Sequence, residues 1–192
     1  MLVVLTAKIG DIIEFGRYET GNGTHPIRWR ILDDKKELLL LTEEGIDCNK
    51  YNEDYTSVTW ESCTLRKWLD DDFLKRAFTI DEAQLIAKTR VQAQKNPKYT
   101  TYPGKGTIDQ IFLLSVEETE KYFRTDEDRK CVPSQFALKQ GVHIGTRGSS
   151  AWWLRSPGQY SNYASFVNDV GAVLYQGHMV CVRPALRIDL GQ

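Results

Sequence analysis

Four cysteines and three histidines are the side chains of this sequence best suited to nucleophilic, redox or metal chemistry. Cys48, Cys63, Cys131 and Cys181 are widely spaced, and His25, His143 and His178 are scattered. Structural zinc sites favour close ligand pairs, which neither set provides. A copper or redox centre would need thiols gathered at one place, and Cys181 alone lies in the C-terminal β-type runs. His178 and Cys181 are three apart, so an extended strand would point them to opposite faces and deny them a nucleophile–base contact. Cys131 with His143 would have to be united by folding, and no oxyanion motif accompanies either. Each cysteine is therefore read as a buried or half-buried free thiol, and no cofactor, metal or catalytic residue is assigned. Asn168-Asp169 offers oxygens for calcium, but that ion takes six to eight of them. With Gly171 following, the pair is read as a hairpin tip. Arg155 and Arg183 could hold an anionic ligand. Their neighbours Trp153, Leu154, Pro184 and Leu186 instead predict buried framework guanidiniums bonded to carbonyls or a carboxylate.

These residues sit in a chain of 192 residues, enough for one compact domain with a core that needs no disulfide staples. Lys and Arg number 25 against 26 Asp and Glu, which removes the cationic excess that nucleic-acid binding uses. No run approaches the ~20 apolar residues of a membrane span. The start, Met1-Leu2-Val3-Val4-Leu5, lacks the basic flank of a secretion leader. A cytoplasmic protein with reduced thiols, binding neither nucleic acid nor membrane, is the expectation.

Residues 12–18 and 27–32 carry β-type residues around Glu19-Thr20-Gly21-Asn22-Gly23, which predicts a hairpin. Residues 38–41 predict a third strand buried on both faces. From Ser62 the period becomes helical: Leu65, Trp68, Leu69 and Phe73 share a face, with Arg66, Lys67, Asp70 and Asp71 turned away. Trp60 and Trp68 are expected beside this helix in the core. Thr79 with Glu82 and Ser115 with Glu118 are capping boxes, the second after a strand over 111–114. Residues 92–110 show no periodicity and predict a mobile loop. Residues 133–140 predict a short helix closed by Gly141. Beyond it, 152–158 leads into short β-type runs over 164–167, 172–175 and 179–188, separated by turns at 168–171 and 176–177. They predict one antiparallel C-terminal sheet, with Trp152 and Trp153 divided between the core and a second interface.

Trp152-Trp153-Leu154-Arg155-Ser156-Pro157-Gly158, then Ala164, Val167, Gly171 and Val182-Arg183-Pro184-Ala185-Leu186, resemble the C-terminal signature of a bacterial and phage family of uncharacterised domains. Phe15-Gly16-Arg17-Tyr18, Ile27-Arg28-Trp29-Arg30-Ile31-Leu32, Thr59-Trp60-Glu61, Leu65-Arg66-Lys67-Trp68-Leu69 and Asp109-Gln110-Ile111-Phe112-Leu113-Leu114-Ser115 fit the same family in order, so the resemblance spans roughly residues 10–190. That family looks related to the C-type lectin-like fold, in the branch of formylglycine-generating enzymes and the variable proteins of diversity-generating retroelements. The resemblance implies a single α+β domain, with a framework over 10–150 and a ligand-meeting hairpin segment over 151–190.

On that reading Trp152, Trp153, Arg155, Gly171 and Arg183 are framework. Gln159, Tyr160, Ser161, Asn162, Tyr163, Asn168, Asp169, Tyr175, Gln176 and His178 form the contact surface. Tyr mixed with Ser, Asn and Gly suits such a surface, because Tyr brings area at low entropic cost. The expected function is non-enzymatic recognition of a protein or glycan. The alternatives are an enzyme or inactive relative with residues 92–110 as a lid, and an assembly domain of a phage or surface protein.

Overall fold

Alternating β-branched and aromatic residues from Ile12 onward give β1 (Ile12–Glu19) and β2 (Thr24–Asp33), an antiparallel hairpin in the computed structural model. The structure describes residues 7–174 and 180–189. At the hairpin tip, Glu19 accepts hydrogen bonds from the Gly21 and Gly23 amides at 2.8 and 3.3 Å. Both glycines have positive φ there, 95° and 122°, a region L side chains seldom enter. β3 (Glu37–Thr42) is leucine-rich and buried on both faces, as its unbroken apolar run requires.

Two five-stranded sheets enclose the core. The first runs β1-β2-β3-β12-β7, with β7 at Ile111–Phe112 and β12 at Ala185–Asp189. The second runs β10-β9-β8-β11-β4. Its members are β4 (Asp47–Asn49), β8 (Trp152–Pro157), β9 (Ala164–Val167), β10 (Val173–Leu174) and β11 (Val180–Val182). Trp29, Phe73, Phe112 and Trp152 are its largest fully buried side chains, so burial of aromatic and leucine surface is the main stabilising term.

The single C-terminal sheet expected from the sequence is corrected here. Within the run over 179–188, whose Met179 lies outside the described residues, the chain changes sheets at Arg183-Pro184. β11 pairs parallel with β8 and antiparallel with β4, whereas β12 inserts between β3 and β7. Pro184 has no N–H to donate to a ladder, which places the break there. The tryptophan expectation is corrected too: every residue of β8 is buried, so Trp152 and Trp153 both lie inside the fold rather than one facing a second interface.

The helix expected after Ser62 forms as α1 (Thr64–Trp68), a π-helical turn (Leu69–Phe73) and α2 (Leu74–Ala77), with helical backbone at both junctions. Leu65, Leu69, Phe73 and Ala77 are buried, while Trp68 is half-buried and stacks on Phe73 at 5.7 Å. Arg66 and Asp70 do not turn away. Arg66 reaches the fully buried Asp109 at 2.6 Å and Asp70 at 3.8 Å. Asp109 also accepts from Trp60 Nε1 at 2.9 Å and from Thr107 Oγ1 at 2.6 Å. Apolar period alone could not disclose this partner 43 residues away.

Both expected capping boxes form, at the starts of α3 (Ile80–Leu85) and α4 (Val116–Tyr122). A third, Thr125 with Asp128, opens α5 (Asp126–Arg129). α6 (Gln135–Lys139) ends before Gly141, whose φ is 99°. Of the loop expected over 92–110, residues 92–106 form neither helix nor strand, whereas its end is corrected: β6 (Thr107–Asp109) is a strand paired with β5 (Thr89–Val91). Buried Asn96 donates to the Pro157 carbonyl at 2.8 Å and to Ser165 Oγ at 3.2 Å. The segment is anchored by side-chain hydrogen bonds that a hydrophobic period cannot reveal.

Among the described residues no helix is long and apolar enough to cross a membrane.

Candidate functional site

β8 supplies the floor of the site. Trp153 is fixed by donation from Nε1 to the Asn49 carbonyl at 2.8 Å and by ring contacts with Tyr51 at 5.5 Å and Phe166 at 6.2 Å. Tyr51 donates to the Arg155 carbonyl at 3.1 Å, and burial raises its pKa well above the ordinary phenol value. This aromatic stack is buried, and three loops lie over it.

The chain leaves β8 at Gly158, whose amide donates to the Tyr163 carbonyl at 2.6 Å, while the Tyr163 amide donates to Tyr160 O at 3.0 Å. Loop 158–163 is thereby closed on itself. It accepts from the Val58 amide at Ser161 O, 2.8 Å, and Ser57 and Ser161 share a hydroxyl hydrogen bond of 2.8 Å. From the other side Thr101 donates to Gln159 O at 2.9 Å. Loops 50–58, 99–105 and 158–163 are thus tied together by one backbone hydrogen bond and two that use side-chain hydroxyls, with Tyr51 and Val58 turned inward.

The three loops are rich in exposed aromatics: Tyr55 is 77% exposed, Tyr102 66% and Tyr160 56%. Tyr163 is half-buried, edge-on to Tyr160 at 5.4 Å. Between Tyr51, Tyr55, Trp153, Asn162 and Tyr163 lies a cleft of about 140 Å³. The Asn162 amide makes no hydrogen bond among the described residues, so its donors and acceptor are free for a ligand. Stacking with directed hydrogen bonds is what this arrangement can do.

The structure separates the contact surface expected from the sequence. Gln159, Tyr160, Ser161, Asn162 and Tyr163 precede β9, whereas Asn168 and Asp169 follow its far end. Asn168 Oδ1 accepts from the Val170 and Ala172 amides at 3.1 and 2.9 Å, which makes it the organiser of the turn. Asp169 packs against Gly145. Tyr175, Gln176 and His178 lie outside the described residues. Tyr55 and Tyr102 were missed. Their sequence signal was an aromatic stranded among polar loop residues, with no apolar periodic neighbours to bury it.

Arg155 and Arg183 are both buried, 4% and 3% exposed. Arg155 donates to Leu113 O at 2.7 Å and to Gln94 Oε1 at 3.1 Å, and pairs with Glu118. Burial alone would raise the Glu118 pKa, but the Arg155 charge and hydrogen bond outweigh it and hold the carboxyl below its ordinary value. Arg183 Nε donates to Thr42 O at 2.8 Å, and its guanidinium lies 5.0 Å from the Trp152 ring and 5.8 Å from the Phe123 ring.

All four thiols are free and buried. Cys48 faces Cys181 across the β4–β11 ladder, and a Cβ on Gly45 would meet both Cys181 Sγ and Cys131 Sγ. Folding therefore brings three widely spaced cysteines into one region. Burial pushes the Cys48 thiol up to about 11 and Cys63 to about 12, and raises Cys131 and Cys181 as well. Thiols so disposed are poor nucleophiles. His143 is exposed while Cys131 is buried. Among the described residues no three His, Cys, Asp or Glu side chains are grouped to hold a metal ion.

These features define a mixed α and β domain of mostly antiparallel sheets with a loop-borne aromatic surface. Residues 35–190 match the family model described as a domain of unknown function, DUF6273, and the chain belongs to that family. No curated protein and no solved structure matches the chain.

Proposed function

We propose that this protein is a non-enzymatic recognition module that binds a protein or glycan through the tyrosine surface of loops 50–58, 99–105 and 158–163. The observation that carries this reading is the contrast between support and surface. Tyr55, Tyr102 and Tyr160 are exposed, yet the loops bearing them are cross-linked by backbone and side-chain hydrogen bonds over a buried aromatic floor. Rigid aromatic anchors lose little entropy on binding, which is why they dominate binding energy in adaptable interfaces. The reading extends the C-type lectin-like resemblance, in which loops near the C-terminal strands carry recognition. It admits a role as a retroelement-type variable protein.

Replacing Tyr55, Tyr160 and Tyr163 together with alanine tests it. The expected variant keeps wild-type cooperativity and weakens the partner at least ~100-fold, about 2.7 kcal/mol. Unchanged affinity for that partner would overturn the assignment.

A further inference from the structure

A second cleft lies away from the tyrosine surface, with a volume of about 550 Å³. Its walls include Ile9, Leu32, Phe123 and Val132, and Arg183 and Glu44 contribute opposite charges. Ile9 and Val132 are 59% and 57% exposed, an apolar rim out of keeping with a surface meant only for water.

Arg183 is the unusual member. It forms no ion pair among the described residues, and its Nη1 is a buried donor without a hydrogen-bond partner there. Two ring faces and two backbone carbonyls, of Thr42 and Glu43, surround the rest of the guanidinium. Buried donors are nearly always satisfied, so an orphan N–H on a buried cation beside a cleft marks a place for an acceptor. The other cations of the cleft are already committed: Arg30 to Glu43 at 2.5 Å and Lys130 to Glu127 at 2.5 Å. Glu44, half-buried, has no ion pair among the described residues. Asp128, also on the cleft, has no ion pair among the described residues either, but its carboxylate accepts from the Thr125 amide at 3.0 Å, which leaves Arg183 and Glu44 as the uncommitted cation and anion beside an apolar wall.

We propose that this cleft binds a free α-amino acid with an apolar side chain. The carboxylate accepts from Arg183 Nη1 once a lining side chain changes rotamer and opens that buried donor to the cleft. The ammonium group faces Glu44, and the side chain covers Ile9, Leu32 and Val132. Either head group alone would leave one charge of the cleft unanswered, so the zwitterion is the matching class.

Calorimetric titration of the full chain with L-leucine and L-phenylalanine tests this, with 4-methylpentanoate and 3-methylbutylamine as analogues of leucine lacking one head group. At least one amino acid should bind, and each leucine analogue should bind at least ~10-fold more weakly than leucine if leucine is the ligand. Glu44→Gln, on a half-exposed side chain, should fold normally and lose affinity ~10-fold or more, and Arg183→Lys should do so wherever it folds. The Tyr55, Tyr160 and Tyr163 triple variant should bind the amino acid as wild type does, so the two sites fail or stand separately. Absence of binding by both amino acids, equal binding of 4-methylpentanoate and leucine, or full affinity in Glu44→Gln would overturn the proposal.

Discussion

Removing the Arg155 guanidinium should be among the most damaging single changes to the fold. Arg155→Met keeps much of the aliphatic stem but deletes the bonds to Leu113 O and Gln94 Oε1 and the pairing with Glu118. Breaking a buried pair from one side typically costs about 3–5 kcal/mol, because the remaining charge stays desolvated. The Glu118 side chain is 22% exposed and can partly rehydrate, which argues for the low end, about 3 kcal/mol. Domains are stable by only about 5–15 kcal/mol, so this is a large share. Melting should fall by roughly 6–12 °C at this chain length. Arg155→Lys keeps the charge but not the fork and should cost about 1–2 kcal/mol. Urea unfolding followed by tryptophan fluorescence supplies both values. Amide exchange should also quicken within residues 92–106, which Arg155 holds through Gln92 and Gln94. The depressed Glu118 pKa adds a sign: its stabilisation is present above the unfolded carboxyl value and is lost as pH falls through the folded one. The Arg155→Met penalty should therefore shrink in acid. A penalty under about 1 kcal/mol at neutral pH, or unchanged exchange in 92–106, would refute the buried-anchor reasoning.

The Asp70 carboxyl, raised to about 6 chiefly by burial and then by Asp109, works in the opposite sense. The folded state holds its proton more tightly, so Asp70 lowers stability as pH rises from about 4 to 6. Asp70→Asn should flatten that slope by on the order of 1 kcal/mol, discounted for the carboxyl's one-third exposure, and a steeper slope in urea titrations would contradict this. All four cysteines should resist a thiol reagent in the native protein and react fully after denaturation without reductant; rapid native labelling would contradict their burial. Gly171→Ala combines a φ of 89° with overlap of the Asp126 carbonyl and should cost about 2–4 kcal/mol, whereas Gly10→Ala, at 94° in open space, should cost about 1 kcal/mol. Equal melting losses in the two variants would refute the overlap.

The elements legible in the sequence are those whose signals are local. The first hairpin, the leucine strand β3 and the capped helix starts follow from alternation, an unbroken apolar run and Ser/Thr–Glu spacing. What escaped depends on distant partners. Arg66 looks like a surface residue until folding brings Asp109 beside it, and the polar stretch 92–110 looks loose until Asn96 meets Pro157 and Ser165. The strand change at Arg183-Pro184 did leave a local signal, a proline inside a β-type run. For the proposed surface, Tyr160, Asn162 and Tyr163 stand out in the sequence through their tyrosine- and asparagine-rich loop. Tyr55 and Tyr102 do not, because their loops join it only in three dimensions.

The central claim is that recognition resides on the tyrosine surface and not in a reaction. Its most direct test is to screen the intact protein on a random-peptide display library and a glycan array, then titrate the recovered ligand against wild type and the Tyr55, Tyr160 and Tyr163 alanine variant. The account predicts a saturable ligand, left chemically unchanged, whose affinity falls at least ~100-fold in a variant that melts within about 4 °C of wild type. A ligand held equally well by the folded variant, or converted to product by the wild type, would contradict it.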